Sequence, residues 1–203
     1  MKEQINLVVV EGALEIPAAR KMLMALSLPS EEVQIIDKHG KERFWADASK
    51  YNQASATIGP ILGITDLDQS PCPGGLIQKH LKQGKHPKFI LRIAVRELES
   101  WLLADTDALA KYFRISPDLF PPDPDEESDP KQTLVNLARR SRKTSLREDI
   151  VPEQGSRHSI GKGYQPRMVE FIEERWRPLK AQDKSESLRR AIKAIREAIK
   201  KEE

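Results

Sequence analysis

The residues of this chain whose types and spacing could do chemistry are acidic. Asp66 and Asp68 sit in Leu-Gly-Ile-Thr-Asp-Leu-Asp-Gln, residues 62–69, where an apolar run over 61–64 stops and a Pro/Gly-rich turn follows. Alternating side chains on extended backbone would put both carboxylates on one side. Two carboxylates at the carboxyl end of a strand make a seat for a hard divalent cation. Alone, Asp-x-Asp suits the start of a loop equally well. Glu11 closes a second apolar run, 5–10, with Glu15 four residues on, and Glu97 and Glu99 follow a third, 89–95. Acids are also favoured in the first turn of any helix, so each has an ordinary alternative. The sequence does not say whether Glu97 or Glu99 faces a site.

Cationic candidates are fewer. Arg92 interrupts an apolar strand and must lie on an open face, at an edge or beside a carboxylate, with a phosphate contact as its functional alternative. Lys162 and His158 lie in a glycine-rich segment, 154–165, that either covers the acidic edge and offers them to a phosphate or is an ordinary surface loop. The net charge is only +3, but Lys and Arg crowd residues 139–147 and the last helix, while acids gather in 123–129. A basic stretch of this kind permits nucleic acid without requiring it.

The elements that must position these groups follow from periodicity. Residues 5–10, 33–36, 61–64 and 89–95 read as buried strands, with helices over 14–28 and 74–83. Strands alternating with helices predict an α/β fold with an open, mostly parallel four-stranded sheet, whose ligands bind outside the carboxyl strand ends. Glu11, Asp66 and Asp68 then converge on one edge. Past Asp105 the strand signals fade. A helix is expected from a Thr106 cap to Phe113, then an acidic Pro-rich loop over 117–130, then a helix opened by Asp129-Pro130 with Gln132 three residues after the cap. Two amphipathic helices close the chain, the last capped by Asp183 or Ser185. The expected division is an α/β core over 1–105 and an α-helical C-terminal extension over 106–203.

The Glu-Gly and Asp-x-Asp elements, closing a first and a third strand, resemble the Toprim signature of topoisomerases, primases and nucleases of the overcoming-lysogenization-defect type. The run from Arg96 to Asp105, Arg-Glu-Leu-Glu-Ser-Trp-Leu-Leu-Ala-Asp, is similar to the motif of a Toprim-like bacterial family, the domain of unknown function numbered 4276. Gly161-Lys162-Gly163-Tyr164 and Ser185-Glu186-Ser187-Leu188 fit the same family. The resemblance implies a Toprim-like fold and a Mg²⁺- or Mn²⁺-dependent nuclease cleaving phosphodiester bonds. Asp66 and Asp68 match the metal-binding pair, and Glu11 a ligand or general acid/base. Glu15 matches a second acid more loosely, and Glu97 and Glu99 are candidates for a second metal. Lys162 and Arg92 are the candidate substrate contacts. The implied setting is bacterial defence, with DNA as nucleic acid and a separate ATPase as partner; a homodimer is compatible.

Other chemistries find less support. The lone Cys72 has no zinc-type neighbours, no serine or cysteine triad is recognisable, and no Gly-x-x-x-x-Gly-Lys loop is present. A phosphohydrolase of the haloacid dehalogenase kind would carry Asp-x-Asp after its first strand, not its third. The first apolar run is too short for a secretory signal, no stretch suits a membrane span, and a cytoplasmic location is expected. The rival to a nuclease is a non-catalytic subunit that binds nucleic acid or regulates an ATPase.

Overall fold

The computed structural model describes residues 4–199. Its four strands, β1 (Leu7–Val10), β2 (Gln34–Asp37), β3 (Ile61–Asp66) and β4 (Phe89–Ala94), form one sheet in the order β2-β1-β3-β4, with every pairing parallel. A parallel sheet must be covered on both faces, which is why its strands read as continuous apolar runs. Val8, Val10, Leu62, Ile64, Ile90 and Ala94 face one layer of helices. Val9, Ile61, Phe89, Leu91 and Ile93 face the other, made of α2 (Lys41–Ile58) and α3 (Pro73–His80).

The sequence pattern assigns no element between Ile36 and Ile61, yet an 18-residue helix, α2, fills that span. Phe44, Ala48, Tyr51 and Ser55 form its buried stripe at spacings of four, three and four. Polar residues so dominate the other faces that the stripe is faint without the sheet to pack on.

The first layer combines α1 (Glu15–Ala25) and α4 (Leu98–Leu103) with the C-terminal helices. These are α5 (Thr106–Phe113), α6 (Pro130–Arg139), α7 (Thr144–Ile150), α8 (Tyr164–Glu174), α9 (Pro178–Ala181) and α10 (Glu186–Ala198). Leu134, Met168, Ile172 and Ile192 join the same buried cluster as the sheet residues, so the C-terminal helices pack on the sheet. Trp101 and Trp176 are core side chains. The Trp101 indole donates to Ser187 Oγ at 2.7 Å, and that of Trp176 to the Trp101 carbonyl at 3.1 Å.

Side-chain caps open α3, α5, α6 and α10. Asp129 accepts from Gln132 N at 2.8 Å with Pro130 in the first turn, and Ser185 accepts from Leu188 N at 3.1 Å. The Gln132 side chain runs forward to Asn136 instead of back to the cap. The α5 cap is Asp105 and not Thr106: its carboxylate accepts from Ala108 N and from Arg177, and is buried. The Pro-rich loop holds two short 3-10 turns, Pro117–Leu119 and Pro124–Glu126. Asp125 there accepts from Ser185 Oγ and Ser187 N, which ties the loop to the start of α10. Among the described residues no helix is long and apolar enough to cross a membrane.

Candidate metal centre

In a parallel sheet of this order, the chain leaves β1 for β2 on one side and reaches β3 and β4 on the other. The crevice between the carboxyl ends of β1 and β3 is therefore the topological switch point, where open α/β sheets bind ligands. Val10 pairs with Ile64, so Glu11, the residue after β1, stands beside Thr65 and Asp66 at the end of β3. Glu11 Oε2 accepts from Thr65 Oγ1 and, at 3.3 Å, from Asp66 N.

Asp66 is the centre of the arrangement. Its Oδ1 is shielded from solvent and has no hydrogen-bond partner among the described residues. Burial, then the charges of Glu15, Glu99, Glu11 and Asp68, push its carboxyl well above the ordinary range. A buried carboxylate oxygen left without a donor is costly. Here it faces further acids instead of a cation or an N–H.

Glu15 opens α1, is 6% exposed, and has its Oε2 above Gly12, where a side chain would meet it at 3.4 Å. Burial, with Glu11, Glu99 and Asp37 adding repulsion, raises its pKa to about 7. The two candidates on the α4 side separate clearly. Glu99 is buried, accepts from Tyr164 OH at 3.0 Å and lies 3.5 Å from Lys131 Nζ. Desolvation raises its pKa against the pull of Lys131. Glu97 caps α6 instead, accepting from Lys131 N and Nζ, each at 3.2 Å.

Asp68 does not share the face of Asp66 by strand alternation. β3 ends at Asp66, Leu67 turns inward and is buried, and Asp68 takes a left-handed conformation at φ 49°. Its backbone is held by Asp68 N to Arg96 O at 2.8 Å and by Arg96 Nη1 to Asp68 O at 2.9 Å. Its carboxylate accepts from Lys41 Nζ at 2.6 Å.

Two groups were not foreseen as site residues, Lys41 and Lys131. Both occupy the first turn of a helix, where the dipole disfavours cations. For Lys131, in a helix whose start the sequence marks, that misplacement is a readable signal, whereas Lys41 opens a helix the sequence pattern does not show. Thr65, the donor to Glu11, carries no such signal.

Glu15, Asp66, Glu99, Lys131 and Tyr164 line a cleft of about 220 Å³. The glycine-rich segment reaches it through Ile160, Tyr164 and Gln165. Lys162 is instead exposed, 3.6 Å from Glu153. His158 is exposed on the same loop. Arg92 lies mid-strand opposite Ile64 on edge strand β4, facing α10, and donates to the carbonyls of Leu91 at 2.6 Å and Arg190 at 3.3 Å.

The donor set suits a hard cation: carboxylate oxygens, one of them orphaned and buried, with an excess of negative charge. The shell is not preassembled. Among the described residues no group of three His, Cys, Asp or Glu could hold a metal ion as it stands, and Lys41 and Lys131 occupy part of the set. Magnesium binds through one or two carboxylates with waters and substrate phosphates completing the shell, so Asp66 with Glu15 or Glu99 would suffice.

The cluster gives metal-free protein a defined pH dependence. Glu15 keeps its proton in the folded state up to about pH 7, whereas unfolded chain releases it near 4.5. Its contribution to stability is therefore full below 4.5 and lost as pH rises to 7. Urea unfolding in EDTA should show Glu15→Gln gaining ~2–3 kcal/mol on wild type between pH 4.5 and 7.5. Parallel stability curves would contradict the burial and crowding of Glu15.

Comparison with family models, with curated proteins and with solved structures returns no match, so the reading of the site stands on its own residues.

Proposed function

We propose that the acidic cleft takes Mg²⁺ or Mn²⁺ and that the protein hydrolyses phosphodiester bonds in nucleic acid. The observation that carries this reading is the buried, unpartnered Oδ1 of Asp66 at the switch point, ringed by Glu15, Glu99 and Glu11. Asp66 and Glu15 or Glu99 would hold the cation, with Glu11 orienting Asp66 through its backbone N–H. A bound divalent cation supplies Lewis acidity and lowers the pKa of water towards neutrality. Where Asp66 and Glu99 hold the cation, Glu15, which lines the same cleft, would be the carboxylate left to accept a proton. Lys41 and Lys131 are each within an ion pair of the acids and are free to turn to phosphate oxygens once a cation takes over those carboxylates. The Toprim-like resemblance supports the same chemistry and extends it to DNA, bacterial defence and a partner ATPase.

A second reading, a non-catalytic subunit, is favoured by the lysines themselves, which already neutralise Asp68, Glu97 and part of Glu99. Calorimetric titration of Mn²⁺ separates the two. The nuclease reading expects sub-millimolar binding and metal-dependent nicking of supercoiled DNA or cleavage of single-stranded RNA. No binding at millimolar Mn²⁺, with or without an oligonucleotide present, would give the site to the non-catalytic reading.

A further inference from the structure

A cluster of positive charge lies away from the acidic cleft. α5, the turn between α6 and α7 and the turn between α8 and α9 enclose a cavity of about 360 Å³ lined by Lys111, Arg114, Lys143, Arg175 and Arg177, with Ala108 and Tyr112 as its apolar part. Among the described residues no carboxylate lines it. Asp105 pairs with Arg177, with Asp107 nearby, and Glu174 lies 3.8 Å from Arg175.

The frame is fixed. Lys143 Nζ sits 5.2 Å over the Tyr112 ring, whose hydroxyl donates to the Arg167 carbonyl of α8 at 3.1 Å. Arg114 caps α5 in a left-handed conformation, φ 55° and ψ 49°, and the preceding carbonyl, of Phe113, accepts from Ser141 Oγ and Arg142 N. Glycine or asparagine fits that cap at lower cost. An arginine there carries backbone strain and places a guanidinium at the cavity.

We propose that this pocket binds phosphate groups of the phosphodiester backbone of a nucleic-acid strand. Three guanidiniums and two ammoniums supply far more donors than one phosphate needs, and arginine suits bidentate phosphate contact. α8 connects the two sites: Tyr164, its first residue, lines the acidic cleft, and Arg175, just past its end, lines the basic pocket. Its 11 residues span about 16 Å at 1.5 Å per residue. A strand stacked as in a duplex, at 3.4 Å per nucleotide, covers that length with about five phosphates, and a more extended single strand with fewer. A free phosphate or nucleotide would occupy the pocket alone. The proposal needs neither metal nor cleavage, so it is tested with both absent and stands or falls apart from the nuclease reading.

Fluorescence anisotropy of the whole chain in EDTA provides the test, with a labelled 20-nucleotide single strand at 50–200 mM salt and with ATP and pyrophosphate as competitors. Lys111→Glu/Arg175→Glu should weaken binding at least ~10-fold at low salt and flatten the log–log salt slope by about 1.4, two contacts at about 0.7 each. Lys50→Glu/Lys193→Glu, the same charge change elsewhere, should do neither. Lys111→Gln/Arg175→Gln gives a milder version should the charge reversal fail to fold. ATP or pyrophosphate displacing the strand at micromolar concentration would keep the phosphate site and make a free phosphate compound its ligand. Equal weakening by both double variants, or no binding of any probe at 50 mM salt, would overturn the proposal.

Discussion

Asp66→Asn is expected to make metal-free protein more stable while abolishing Mn²⁺ binding. The two effects have one cause. In the absence of a cation, Asp66 is a buried acid facing Glu15, Glu99 and Glu11, with an oxygen that no donor reaches. Asparagine removes the charge, keeps the shape and offers an N–H₂ to the surrounding carboxylates, so unfolding in EDTA should cost ~1–2 kcal/mol more. The same change deletes the strongest candidate ligand. Metal-dependent cleavage should then fall ~10²–10³-fold, the range for losing one preorganised charge-stabilising group. Opposite signs in stability and function mark a site that trades one for the other. Asp66→Asn that is less stable in EDTA and still binds Mn²⁺ would show Asp66 to be a structural residue.

Gly161→Ala should destabilise the protein by ~2–4 kcal/mol, although the position lies in a loop. A Cβ at Gly161 would sit 2.3 Å from the Asp149 carbonyl oxygen and 2.8 Å from the Ile150 carbonyl carbon, both backbone atoms that cannot swing aside. Relieving the clash means breaking the bond from Gly161 N to Ile150 O at 2.8 Å, and straining that from Gly163 N to Asp149 O at 2.9 Å. Together these bonds dock the loop on the end of α7 and deliver Tyr164 to Glu99. Loss of metal affinity should accompany loss of stability. Gly74→Ala is the control: nothing lies within 4 Å, the residue is helical, and alanine there should be neutral or stabilising. Thermal melts of both variants decide the matter, and a Gly161→Ala variant melting with wild type would contradict the packing described.

What the sequence by itself determined was the sheet and its acidic edge. Four apolar runs bounded by turn signals are the four strands, because a parallel sheet buried on both faces leaves no polar alternation to blur them. Glu11 and Asp66 followed from that, since each is the residue at which such a run stops. Asp129 was legible as a cap, and Ser185 as one of two candidates with Asp183, because capping is local chemistry, although the cap expected at Thr106 falls on Asp105.

Tertiary structure alone decided the rest. Asp68 left the face of Asp66 because the strand ended at Asp66, two residues short of it, and a left-handed turn re-aimed it at Lys41. Glu97 and Glu99, two residues apart, parted company only where α6 arrived, one capping that helix and the other entering the cleft. Arg92 is a cation whose neighbour comes from another element, α10, whereas Lys162 pairs within its own loop with Glu153, away from the cleft. The helix α2 was hidden for a related reason, its stripe being apolar enough to pack only against a sheet face already in place. Periodicity and chain stops report what a residue does within its own element. Which charges meet across elements depends on how the whole chain packs.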